Sequence, residues 1–150
     1  MNETLKIAVD FDGTCVDHRF PDVGQDAPGA VRTLKDLHSK GHRLILWTMR
    51  CGSYLEEAVQ WFTNNNIPLW GIQCDPAQET WTTSKKCYAQ LYIDDAAFGC
   101  PLIQPARFKR PCVDWDKVRK HFRLDWPDAR EPFLEDEGRL RPCPLTKEKE

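Results

Sequence analysis

The strongest constraint on this chain is a repeated arrangement in which a short apolar run stops at a pair of acids. Leu5-Lys6-Ile7-Ala8-Val9 gives way to Asp10-Phe11-Asp12-Gly13-Thr14, and Leu91-Tyr92-Ile93 gives way to Asp94-Asp95. Runs of this length and β-branched content read as buried strands that end in loops. Helical patterns separate them. Pro28 suits the first turn of a helix in which Ala30, Val31, Leu34 and Leu37 form one apolar stripe and Gly41 closes the element. A second strand is expected over 43–47. Ser53 with Glu56 reads as a capping box opening a helix through Leu55, Val59 and Phe62, and Asn64-Asn65-Asn66 suits its end. A third strand is expected over 67–72, starting around Pro68, and a last helix from 114 to about 122. Strands alternating with helices in units of ~30 residues imply βαβ crossovers. The expected fold is therefore α/β, a Rossmann-like three-layer sandwich whose mainly parallel sheet is covered on both faces.

The 150 residues make one domain of ordinary size, and 41% hydrophobic against 29% charged residues is a globular composition. We divide the chain into a core, 1–126, and an arm or flexible tail, 127–150, where Pro127, Pro132, Pro142 and Pro144 mix with many charges and no periodicity persists. With 21 Lys plus Arg against 23 Asp plus Glu, the net charge of −2 offers no excess to neutralise a phosphate backbone, so charge implies no nucleic-acid partner. No run approaches the ~18 apolar residues of a membrane span, and the amino end lacks a positive segment followed by an apolar one. The seven cysteines are odd in number and contain no C-x-x-C pair. They read as reduced thiols, and the expected location is cytoplasmic.

Ligands of such sheets bind where the strands end. Asp10, Asp12, Asp94 and Asp95 would converge there and repel one another unless a cation sits among them, and hard oxygen donors suit Mg²⁺. Asp10 and Asp12, two apart, could supply a nucleophile for phosphorus and an acid/base for the leaving group. Thr48, after the second strand, could hydrogen-bond a phosphoryl oxygen, and Lys85 or Lys86 could neutralise its charge.

These residues, in order, resemble the four motifs of the haloacid dehalogenase-like (HAD) superfamily of phosphohydrolases: Asp10-Phe11-Asp12-Gly13-Thr14, Leu46-Trp47-Thr48, a lysine, and Tyr92-Ile93-Asp94-Asp95. The resemblance covers roughly residues 5 to 125. It implies a Mg²⁺-dependent phosphatase in which Asp10 forms an aspartyl-phosphate and Asp12 is the general acid and then the base. Thr48 and Lys86, preferred to Lys85, would hold the phosphoryl group, with Gly13 and Arg50 as further phosphate or substrate contacts. Asp10, Asp94, the backbone carbonyl of Asp12, and Asp95 directly or through water would hold the metal. An acid at position 12 favours phosphoester hydrolysis over dehalogenation, since halide leaves without a proton.

Only 15–27 and 74–84 are free to form a cap, so the resemblance implies a capless enzyme. Its selectivity would come from those loops, from Arg50 or Trp81, from a neighbouring subunit in a homo-oligomer, or from a large substrate that covers the site. The substrate is a small phosphometabolite, such as a sugar or nucleotide phosphate, or a phosphorylated macromolecule. The alternative is a phosphoacceptor or binding module of receiver type that turns over slowly or not at all. Other chemistries are excluded: no cysteine has an arginine six positions on, and no glycine pair five apart precedes Lys-Ser or Lys-Thr.

Overall fold

Alanine, isoleucine, valine and leucine at the centres of the apolar runs pair into a four-stranded parallel sheet in the computed structural model of the protein. The structure describes residues 3–125 and the backbone of two further strands, Pro132–Leu134 and Leu140–Pro142. The sheet contains β1 (Lys6–Val9), β2 (Arg43–Leu46), β3 (Gly71–Ile72) and β4 (Leu91–Ile93) in the order β3-β2-β1-β4. Ala8 lies beside both Ile45 and Tyr92 in register. β1 is internal, and Ile7, Ala8 and Val9 are all buried.

Helix α1 (Ala30–Ser39) connects β1 to β2, and α2 (Gly52–Asn64) connects β2 to β3. Gly29 and Gly41, at φ 80° and 93°, bracket α1 in a backbone region that favours glycine. The expected capping box does not form: α2 starts one residue before Ser53, and its N-cap Cys51 makes no side-chain cap bond. The third strand is only two residues long because Pro68 has no N–H to give a ladder, and Ile67 N–H instead closes α2 on the Phe62 carbonyl. After β4 come β5 (Leu102–Ile103) and β6 (Cys112–Val113), an antiparallel pair. Nothing in a sequence interrupted by Pro101, Pro105 and Pro111 signals it. α3 (Trp115–His121) follows, with the Asp114 carboxylate accepting from the N–H groups of Asp116 and Lys117 as a side-chain cap. β7 (Pro132–Leu134) and β8 (Leu140–Pro142) pair antiparallel; the rest of the expected tail, 127–150, lies outside the described residues.

The two faces of the sheet differ. Ile7, Val9, Leu44 and Leu46 meet Leu34 and Leu37 of α1, Ala58 and Phe62 of α2, and Trp115 and Val118 of α3 in one large core. On the other face Ala8 and Ile45 meet Cys87, Trp47, Ala89 and Tyr92. The expected second helical layer is replaced there by the segment 74–90, in which only Gln78–Thr80 coils, as a single 3₁₀ turn. That stretch is too polar to carry the apolar stripe a packed helix needs. Among the described residues no helix is long and apolar enough to cross a membrane, and Cys15, Cys51, Cys74, Cys87, Cys100 and Cys112 are free thiols.

Candidate active site

Parallel strands all end at one edge of their sheet, and the ladder extends one residue past β1 and β2. Asp10 N–H donates to the Ile93 carbonyl and Trp47 N–H to that of Val9, both at 2.9 Å. Side chains alternate along a strand, so Asp10 and Asp94, two residues beyond the Ala8–Tyr92 pair, share the face opposite the helices. One oxygen each from Asp10, Asp94 and Asp95 lies within 4.8 Å of the others. The Asp10 carboxyl is pushed up to about 8 by burial, by a hydrogen bond with Asp95 and by the charge of Asp94. Three crowded carboxylates form a hard-oxygen donor set, and a divalent cation among them would remove the repulsion that raises Asp10. The residues therefore fit Mg²⁺.

Asp12 lies apart from that cluster. Arg50, 2% exposed, grips both of its oxygens, Nε to Oδ2 at 2.7 Å and Nη2 to Oδ1 at 2.8 Å. Arg50 also donates to the carbonyls of Pro21 (3.2 Å) and Asp22 (2.8 Å). The candidate substrate contact at position 50 is thus turned inward: its guanidinium serves Asp12 and the 21–22 backbone. The Asp12 side chain, expected among the metal ligands, is not in the acidic cluster; only its backbone carbonyl remains for that role. Thr48 Oγ1 accepts the Arg50 N–H at 3.1 Å. Gln73, held at φ 65°, clamps the Thr48 backbone from both sides, accepting its N–H at 2.9 Å and donating to its carbonyl at 2.6 Å.

Thr48 and Arg50 border a cavity of about 780 Å³ whose far wall is Gln78, Thr82, Ser84 and Lys85. Lys86 does not line it; its ammonium sits 5.7 Å over the ring of Tyr92. Tyr92 precedes Asp94 by one strand repeat, so Lys86 lies on the sheet face to which Asp10 and Asp94 point.

A solved structure of a conserved protein from Bacteroides thetaiotaomicron shares 35% identity with the chain over 83% of its length and 94% of that protein's, with a TM-score of 0.68. The chain belongs to the family of that conserved protein. No protein-family model and no curated protein matches it. What the site can do follows from its own residues.

In this member of the family, two residues that sequence reasoning did not single out hold the acids in place. The Thr14 hydroxyl lies 3.1 Å from Asp10 Oδ2 and 3.3 Å from Asp95 Oδ1, and it accepts the Asp95 N–H at 3.2 Å. With a single proton it donates to one carboxylate at a time. His18 Nε2 lies 2.9 Å from Asp95 Oδ2. Gly13 makes room for both groups. At φ 82° it sits in the left-handed region, and a Cβ there would fall 2.0 Å from His18 Nε2 and 2.5 Å from Asp95 Oδ2. Gly13, expected as a phosphate contact, is also a point of close approach between a loop and a carboxylate. A threonine directly after the acidic turn is the signal that would have found Thr14; no spacing marks His18.

Proposed function

We propose that the protein is a Mg²⁺-dependent phosphomonoester hydrolase of HAD type that works through an aspartyl-phosphate on Asp10. The observation that carries this reading is the crowding of Asp10, Asp94 and Asp95 within 4.8 Å at the carboxyl edge of the sheet. Asp10, Asp94, Asp95 and the Asp12 carbonyl would hold the cation, which when bound screens the negative charge of nucleophile and phosphate. An Asp10 oxygen attacks phosphorus, the bond to the leaving oxygen breaks, and Asp12 gives that oxygen its proton. Water then attacks the phosphorus of the aspartyl-phosphate, Asp12 takes the water's proton, and the Asp10–phosphorus bond breaks to release phosphate. Thr48 and Lys86 stabilise the transferring group.

Among the described residues no separate cap stands over this edge, and the hydroxyl-rich cavity beside Thr48 has the size of a small-ligand site. A small phosphometabolite fits that space better than a phosphorylated macromolecule. A second reading, a phosphoacceptor with slow or no turnover, is favoured by one observation: both oxygens of Asp12 are already engaged by Arg50. One experiment separates them. p-Nitrophenyl phosphate is offered to the wild type and to Asp10→Asn, each with Mg²⁺ and with EDTA. Release of p-nitrophenol that needs both Asp10 and the metal supports the hydrolase. A stable one-equivalent phospho-enzyme from acetyl phosphate, without release of p-nitrophenol, would replace it by the phosphoacceptor.

A further inference from the structure

The loop after Gly13 and the β5–β6 hairpin meet at His18. Arg110, just before β6, places Nη2 2.8 Å from His18 Nδ1. The same two segments are tied by Lys109 N–H to Asp17 Oδ1 (3.3 Å) and by Arg19 Nη2 to the Arg107 carbonyl (3.1 Å). A guanidinium has only donors, so Nδ1 must accept and carries no proton. The ring proton then sits on Nε2, which donates to Asp95 Oδ2 at 2.9 Å. Asp95 is thereby held on three sides: its Oδ2 by His18, its Oδ1 within reach of Thr14, and its N–H by the Thr14 hydroxyl. The one member of the acidic cluster whose role the sequence left open is the one whose orientation is most completely fixed.

We propose that His18 is a positioning residue for Asp95: locked by Arg110 as the Nε2–H tautomer, it orients the Asp95 carboxylate toward the cation shared with Asp10 and Asp94. The proposal rests on the metal reading of that cluster. Its physical basis is general: a partner hydrogen-bonded to a metal-binding carboxylate fixes which lone pairs are free, and losing it weakens metal binding by about 10–100-fold. A neutral donor also leaves the full negative charge of Asp95 for the cation, where a cationic side chain would compete with it. The hairpin makes this coupling non-local, because Arg110 touches the acids only through the imidazole.

The test uses the full chain and Mn²⁺ as the probe, a hard cation whose free fraction is read by electron paramagnetic resonance. His18→Leu should weaken Mn²⁺ binding by about 10–100-fold. His18→Gln, which can present an amide N–H near the Nε2 position, should restore it to within a few-fold of wild type. Arg110→Ala, which leaves the ring but frees its tautomer, should fall between them. Long-range ¹H–¹⁵N spectra of the imidazoles should give His18 the Nε2–H pattern in the wild type and a tautomer mixture in Arg110→Ala. Wild-type Mn²⁺ affinity in a folded His18→Leu, or an Nδ1–H tautomer in the wild type, would overturn the proposal alone. A wild type that binds no Mn²⁺ would overturn the metal reading and the proposal with it.

Discussion

Two aspartates flank β1, and their surroundings drive them in opposite directions. Asp10, past its carboxyl end, faces two other acids, and its carboxyl is pushed up to about 8. Asp75, bonded back to Lys6 at the amino end, is 1% exposed, yet it is held below its ordinary value. Burial alone would raise it, but Lys6 Nζ at 2.7 Å and Trp70 Nε1 at 2.8 Å donate to its oxygens, and the Lys6 charge adds to them. One carboxylate is compensated by the protein and the other is not. The compensated one has a structural account that is complete within the chain; the uncompensated one is the charge that the proposed cation would neutralise.

The sharpest way to break that comparison is to neutralise each acid in turn. Asp10→Asn should lower turnover of p-nitrophenyl phosphate by on the order of 10⁴-fold or more. In EDTA it should leave the melting temperature unchanged or higher, because it removes a carboxyl whose ionisation the fold opposes. The sign follows from the raised value: wild-type stability is fully present below the unfolded value of about 3.9 and is lost progressively as pH rises toward about 8, a loss that asparagine does not suffer. A metal-free Asp10→Asn that melts well below wild type would show that Asp10 is as structural as Asp75.

Arg50 belongs to the compensated class although it lies at the site. Arg50→Ala would leave the Asp12 carboxylate and the carbonyls of Pro21 and Asp22 without their donor, and should cost about 3–5 kcal/mol in urea denaturation. Were Arg50 a surface contact for substrate, KM would rise while the denaturation midpoint held. Asp75→Asn should cost somewhat less, about 2–3 kcal/mol, and in the opposite pH sense to Asp10. Because the folded carboxyl titrates below its unfolded value, the stabilisation is fully present above about 3.9 and disappears as pH falls through the lower folded value. Wild type and Asp75→Asn should therefore converge in acid; a gap that widens there would sink the account of the pair.

The contrast also marks what a sequence can reveal. β1, β2 and β4, α1 and α3, and the edge bearing Asp10 and Asp94 were legible because apolar period, glycine and an aspartate cap all act within a few residues. Gly71–Ile72, the β5–β6 pair and the coil covering the Ala8–Ile45 face were not, since two-residue strands have no period and Pro68 hides the ladder's end. The failed capping box has the same origin: the pattern at Ser53 is local, but Gln73, 23 residues on, donates to the Arg50 carbonyl at the entry to α2. His18 and Thr14 belong to contacts 77 and 81 residues apart in sequence, which no spacing rule reaches. The ion pair of Arg50 with Asp12, 38 residues apart, escaped for that reason too.

The smallest expected effect concerns the two lysines, and it tests whether the uncompensated region has a cation of its own within reach. Lys85 borders the cavity beyond Thr48, whereas Lys86 lies over Tyr92 on the face shared by Asp10 and Asp94. A lysine that neutralises the phosphoryl group acts on the reacting atoms, so Lys86→Ala should lower kcat by about 10-fold or slightly more. Its contact with Tyr92 contributes at most ~1 kcal/mol to stability at an exposed position. Lys85→Ala should instead raise KM a few-fold with kcat held, as expected of a group that meets only the leaving portion of the substrate. Steady-state kinetics on both variants decides it. A near-silent Lys86→Ala beside a severe loss of kcat in Lys85→Ala would reverse the assignment.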